Sequence, residues 1–211
     1  MTFGFLLFPR LEELDLIGPW EMIGFWGKYF QGPQRCFMVA EKMPPVICAK
    51  GLSINPHVDF SQCPPLDYLL VPGGEGTRTE VNNEALIRFV AEQGNCCKAV
   101  LSVCTGTFIL YRAGLILGKR VTTHWASLDR LRTLGDVEVV EERVVQNGHI
   151  WTAAGVSAGI DLALAFIADV AGEKTASNVQ LGSEYYPSDK LYSSAYKNEM
   201  TPQYLKRMYH S

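Results

Sequence analysis

A doubly wound α/β sandwich is the fold this sequence predicts, and three observations predict it. Short, unbroken apolar runs recur at residues 3–8, 67–71 and 99–103, as expected of parallel strands buried on both faces. Stretches with helical apolar spacing alternate with those runs, the pattern of crossover units in a parallel sheet. Finally, 211 residues with 47% hydrophobic and 19% charged content suffice for one such domain with a full core, and not comfortably for two.

The elements follow in order. Residues 3–8 form the first strand, stopped at Pro9. A turn carrying Glu12, Glu13 and Asp15 leads to a helix opened by Pro19, a residue suited to a first helical turn, and running to about Trp26. Asp15 sits between Leu14 and Leu16, an apolar setting that capping by an exposed acid does not require. Residues 36–40 read as a second strand, and residues 44–56 as short extended pieces around Gly51, a hairpin flanking the sheet. The strand at 67–71 ends in Pro72-Gly73-Gly74-Glu75-Gly76-Thr77. A helix over 84–93 stops at Gly94.

The strand at 99–103 breaks at Cys104 and resumes as a helix over 108–113, closed by Gly114. Residues 120–125 read as a β-branched strand containing His124, and 126–134 as a helix ending at Gly135. Short strands are expected at 137–140, 143–145 and 150–153, with Asn147-Gly148 as a hairpin turn. Ser157 is the expected cap of a long helix through Val170, and a further helix spans about 173–181. The α/β domain thus takes residues 1–186. Residues 187–211 form a polar, tyrosine-rich tail that could wrap the domain, extend a partner contact or be partly disordered.

Composition excludes several classes. The net charge of −3 offers no attraction for nucleic acid. No stretch approaches the ~18 apolar residues of a membrane span, and the amino-terminal residues lack the basic start of an export signal. A cytoplasmic protein without nucleic-acid or membrane partners is expected. The six cysteines suit neither a disulfide scaffold nor a zinc site, since Cys96-Cys97 has no second pair, and no metal or cofactor is implied.

One constellation carries chemistry. Cys104 stands where a strand meets a helix, flanked by the small Ser102 and Gly106, with the logic of a nucleophile elbow. Helix-terminal N–H groups favour a thiolate there, and the expectation is a lowered pKa. A small buried apolar residue is the competing reading. The Gly73-Gly74 pair, directly after a strand, is a candidate anion cradle or simply a tight turn. Ligands of such sheets bind beyond the carboxyl ends of the strands, which brings Asp15, Gly73, Gly74, Cys104 and His124 to one edge.

These words resemble the ThiJ/PfpI superfamily: GFLLFP, LDLIGPWE, CPPLDYLLVPGGEGT, SVCTGT, AGLILGKRVTTHWA, ERVVQNG and AGVSAGIDLAL stand in the right order, covering residues 3–186. Within it the chain is most similar to the isonitrile hydratases. Amino-terminal domains of AraC-type regulators share similar words, but no helix-turn-helix units follow here. Relatives of the PfpI type have a histidine directly after the cysteine, where this chain has Thr105.

The resemblance implies a flavodoxin-like sandwich, a small-molecule substrate and a homodimer. It implies Cys104 as the nucleophile that attacks an isocyanide carbon, forming a thioimidate. Asp15 would be general acid and base, and Thr105 would hydrogen-bond the intermediate or position water. Backbone N–H groups of Gly74 and Thr105, with Gly73 beside them, would steady developing charge. His124 would support the site from behind. A carboxyl group beside a thiolate should itself be pushed up in pKa. A non-enzymatic sensor of oxidants or electrophiles, or a ligand-binding protein, would use the same cysteine without requiring Asp15.

Overall fold

A computed structural model describes residues 1–187 and 201–208. The first half holds β1 (Thr2–Leu6), α1 (Glu13–Tyr29), β2 (Arg35–Ala40), β3 (Val46–Ile47), β4 (Ser53–Ile54), β5 (Val58–Asp59) and β6 (Tyr68–Val71). Then come α2 (Thr77–Glu80), α3 (Glu84–Cys96), β7 (Ala99–Val103), α4 (Gly106–Arg112), β8 (Arg120–Val121), a 3-10 turn (Trp125–Ser127) and α5 (Leu128–Arg132). The remainder is β9 (Glu138–Val139), β10 (Val144–Asn147), β11 (Ile150–Ala153), α6 (Ala158–Ala171), α7 (Glu173–Gly182) and α8 (Gln203–Met208).

Seven strands form the main sheet in the order β10-β11-β7-β6-β1-β2-β5. All neighbours are parallel except the edge hairpin β10–β11. The crossover reverses between β1 and β6, so the loops after those strands open a crevice at the carboxyl edge. Two helix groups flank the sheet, α1 with α6 and α7, and α4 with α2 and α3. β1, β6, β7 and β11 are buried along their whole length, which is why the first three read as apolar runs. Phe166 of α6 fills the space over them, meeting Phe3, Tyr68 and Trp151 edge-on. Among the described residues no helix is long and apolar enough to cross a membrane.

Several expected boundaries move, each for a local reason. α1 begins at Glu13, so Pro19 lies inside the helix and does not open it. Proline has no N–H to give the carbonyl of Asp15 four residues back, and the first turn is held by tertiary packing instead. Gly18 packs against Ile160 of α6, where an added methyl would stand 2.9 Å from Cγ1. The strand expected over 120–125 is only β8, which pairs with β9 in a separate small sheet. Thr122 and Thr123 beyond it are buried: the Thr122 N–H donates to the Thr152 hydroxyl at 2.9 Å, and the Thr123 hydroxyl donates to the Cys104 carbonyl. Ser157 makes no side-chain cap for α6; its hydroxyl accepts from Arg143 Nη2 at 3.2 Å. The hairpin around Gly51 is present as β3–β4. Of the tail, residues 188–200 and 209–211 lie outside the described residues.

Candidate active site

The site begins with a strained corner. Between β7 and α4, Cys104 has φ 56°, the left-handed region that a side-chain-bearing residue seldom adopts. Three contacts hold it there. Its N–H is shared between the carbonyls of Ala153 and Ala154, each at 3.1 Å, and its own carbonyl accepts the Thr123 hydroxyl at 2.7 Å. Gly106 lets the helix start hard against β6: an added methyl would lie 2.4 Å from the Val71 carbonyl oxygen. This is the geometry of a nucleophile elbow, with the side chain fixed by the backbone beneath it.

The acid arrives from the other end of the chain. Asp15, in the first turn of α1, is fully buried. Its Oδ2 accepts the Gly73 N–H at 2.9 Å, while Oδ1 is buried without a hydrogen-bond partner among the described residues. Gly73 is the meeting point of the site. A methyl on its Cα would stand 2.5 Å from the Thr105 nitrogen and 2.8 Å from both Asp15 Oδ2 and Cys104 Cβ. Gly74, with φ 117°, lets the loop run against the approach to α1, so that the Glu12 N–H can bond the Gly73 carbonyl at 2.9 Å.

Burial decides the proton inventory. Desolvation drives the Asp15 carboxyl up to about 8; the Gly73 N–H opposes it, the nearby Glu12 charge adds to it, and Cys104 and Lys50 oppose it more weakly. Burial likewise pushes the Cys104 thiol well above its ordinary value, and the Asp15 charge reinforces this. The Thr105 N–H and hydroxyl favour the thiolate but are outweighed. The expected low-pKa thiol is therefore corrected. α4 is only seven residues long, and its terminus cannot offset the loss of water around the sulfur. Burial thus favours the protonated form of each group.

The glycine cradle is also altered. The Gly73 N–H is given to Asp15 and the Gly74 N–H to Thr105 Oγ1 at 3.0 Å, so neither glycine donor is free to receive developing charge. Of the two expected donors, Gly74 and Thr105, only the Thr105 N–H remains, beside the sulfur. The Thr105 hydroxyl is in turn met by Thr77 Oγ1 at 3.1 Å.

His124 stands apart from proton chemistry. Its Nδ1 accepts the Ala126 N–H at 3.2 Å at the head of the 3-10 turn, its ring lies against Gly155, and burial lowers its pKa, with Glu12 opposing. It is a ring packed on the Gly155 loop. Residue-by-residue reading of the sequence missed Thr77, Thr123 and Glu12. Thr123 carried a faint signal as one of two adjacent threonines before His124. Thr77 carried none, because only the fold brings its hydroxyl to Thr105. Tyr204 of α8 is half-buried against the core, and Gln203 beside it donates its N–H to Glu141 Oε2 at 3.1 Å.

Comparison with known proteins agrees with this fold. A profile of the DJ-1/PfpI family matches residues 2–169. The isonitrile hydratase of Pseudomonas putida is 40% identical over 188 residues, 89% of this chain and 80% of that protein. The transcriptional regulator CdhR of Pseudomonas aeruginosa is 26% identical over 84% of this chain, which covers 53% of its length. Among solved structures, a ThiJ/PfpI family protein from Pseudomonas syringae superposes with a TM-score of 0.85 at 32% identity, over 99% of this chain and 84% of that one. DJ-1beta of Drosophila melanogaster shares the fold, with a TM-score of 0.74 at 19% identity over 89% of this chain and 100% of its own. With that profile running over residues 2–169 and 40% identity to a relative across 89% of its own length, this chain belongs to the DJ-1/PfpI family.

Proposed function

We propose that this protein is an isonitrile hydratase, converting an isocyanide and water into an N-substituted formamide. The observation that carries the proposal is the 40% identity to the Pseudomonas putida isonitrile hydratase across 89% of this chain. The proton state of the pair supports it, because hydration of an isocyanide must deliver a proton to carbon and a buried carboxylic acid is equipped to do so.

The steps balance without a further reagent. Cys104 sulfur bonds to the terminal carbon of R–N≡C, Asp15 gives its proton to that carbon, and the thiol proton replaces it on Asp15. The product is a thioimidate, R–N=CH–S–Cys104. Water then adds its oxygen to the same carbon while Asp15 relays one of its protons to the nitrogen; the C–S bond breaks, the hydroxyl proton passes to sulfur, and the formamide R–NH–CHO leaves. The Thr105 N–H lies where it can steady negative charge on sulfur as the bond breaks.

A sensor of oxidants is less well supported. Such a role needs a readily formed thiolate, and burial holds this thiol protonated. The proposal includes a homodimer. Leu14, Ile47 and Leu52 are exposed apolar side chains on adjoining segments, joined where Arg10 N–H bonds the Ile47 carbonyl and Cys48 N–H the Leu52 carbonyl.

The test is formamide production from a simple aryl or alkyl isocyanide by the purified protein, followed by NMR. Wild type should turn over, Cys104→Ala should not, and Asp15→Asn should lose at least about a hundredfold in kcat. Wild-type turnover by Cys104→Ala would sink the covalent route, and a silent wild type would sink the hydratase reading.

A further inference from the structure

The carboxyl edge of the sheet carries a second opening. A cavity of about 390 Å³ lies between the segment that follows β1, the loop that follows β2, and the junction of α2 with α3. Asp15, Gly73, Gly74, Cys104 and Thr105 are not among the residues that line it. Its volume is that of an ordinary small-molecule site, and most of its wall is apolar, with Phe8, Val46 and Leu86 in it. Pro9, Pro44 and Pro45 also line it, and a proline has a carbonyl but no N–H. Those stretches of wall therefore offer a ligand acceptors and no backbone donor.

The polar side chains on the wall are Glu41, Lys42, Glu80 and Asn83. Asn83 is fully committed. Its amide nitrogen donates to Glu41 Oε2 and to Glu80 Oε2, each at 2.8 Å, and its Oδ1 caps α3 by accepting the N–H groups of Ala85 and Leu86. Lys42 stands on the exposed rim, 3.9 Å from Glu41 Oε1. Glu80 is only 8% exposed, and among the described residues no cation pairs with it and no hydrogen bond reaches its Oε1. Two carboxylates against one ammonium leave the wall net negative. A carboxylate held largely out of water without a cation is costly, and a positively charged ligand relieves that cost.

We propose that this cavity is a binding site for a small primary ammonium with a compact apolar body, its N–H groups on Glu80 and Glu41 and its body against Phe8, Val46 and Leu86. A guanidinium fits less well, because its two parallel hydrogen bonds need both oxygens of one carboxylate, and Asn83 already takes Oε2 of each. A metal ion needs a shell of six or so oxygen ligands, which two carboxylates on an apolar wall do not make. A neutral molecule would leave Glu80 without a cation, and an anion would be repelled by it. The site stands apart from the hydratase reading, and neither depends on the other.

The experiment titrates benzylammonium, benzyl alcohol and benzoate into the 15N-labelled full chain at neutral pH and follows the backbone amide resonances. Benzylammonium should shift Val46, Ile47 and Leu86 saturably, with a Kd of about a millimolar or tighter, and leave Gly74 and Thr105 in place. Benzyl alcohol, of the same shape without the charge, should bind at least about tenfold more weakly, and benzoate should not bind. Glu80→Gln should weaken benzylammonium about tenfold or more, the worth of a hydrogen bond to a charged group. On the exposed rim, Glu41→Gln should weaken it and Lys42→Gln tighten it, each by about two- to fivefold. Should Glu80→Gln fail to fold, the two rim variants and the alcohol still decide the matter. The proposal is overturned if benzylammonium gives no saturable shift, if the alcohol binds equally well, or if the shifts centre on Gly74 and Thr105. Equal affinity in wild type and all the folded variants overturns it too.

Discussion

Asp15 ties the stability of the fold to pH. Its carboxyl sits at about 8 in the folded chain against 3.8 for an unperturbed aspartate. The folded state therefore holds a proton that the unfolded state releases between those values. Stability from this group is fully present below the unfolded value, declines as pH rises, and levels off above about 8. Asp15→Asn removes the dependence, because an amide never ionises. The variant should denature at higher urea than wild type at pH 9, by a few kcal/mol to order of magnitude, with the gap closing in acid. Failure of the gap to narrow in acid would contradict a buried, raised carboxyl. Under the proposed hydration, with Asp15 as general acid, kcat on an isocyanide should fall as pH rises through about 8, because the acid must carry its proton. Cys104 adds a conformational term. At φ 56° glycine is at ease and alanine is not, so Cys104→Gly should be more stable than Cys104→Ala by about 1 kcal/mol in equilibrium denaturation.

At the scale of elements, the elbow depends on α4 starting in contact with the end of β6. Gly106 makes that possible, because the atoms an added methyl would strike are the backbone carbonyls of Val71 and Pro72, at 2.4 and 2.8 Å. Backbone in a buried strand cannot step aside. Gly106→Ala should cost about 3 kcal/mol or more and blunt Cys104 alkylation; wild-type values for both would show that the corner is softer than its geometry implies. These contacts also mark what was legible in advance. The fully buried strands β1, β6 and β7 announced themselves as apolar runs, and the α/β alternation followed from them. Pro19 misled, since its local preference for a helix start was overridden by packing of α1 against α6. The short β8 and the edge strand β5 were poorly legible because two-residue strands leave no period to detect. At the site, Cys104 and Asp15 could be named from their settings. The occupation of both glycine N–H groups could not, because hydrogen bonds between residues 15 and 73, or 74 and 105, are created only by the fold.

For the whole molecule, the proposed homodimer has a direct measure. Sedimentation equilibrium should return twice the 23.5 kDa chain mass, and an aspartate at Leu14 or Ile47 should return the single-chain value. A monomeric wild type would leave those exposed side chains to another partner. The site itself is a property of the whole chain, since its acid, its glycine loop and its cysteine come from segments that meet only across β1, β6 and β7. That assembly has a bearing on durability in air. Peroxide attacks thiolates, and burial in this fold disfavours the thiolate of Cys104 and largely covers its sulfur. An aged preparation should accordingly gain sulfinate on the exposed Cys96 before Cys104, so that the elbow sulfur is sheltered from the oxygen the protein is stored under.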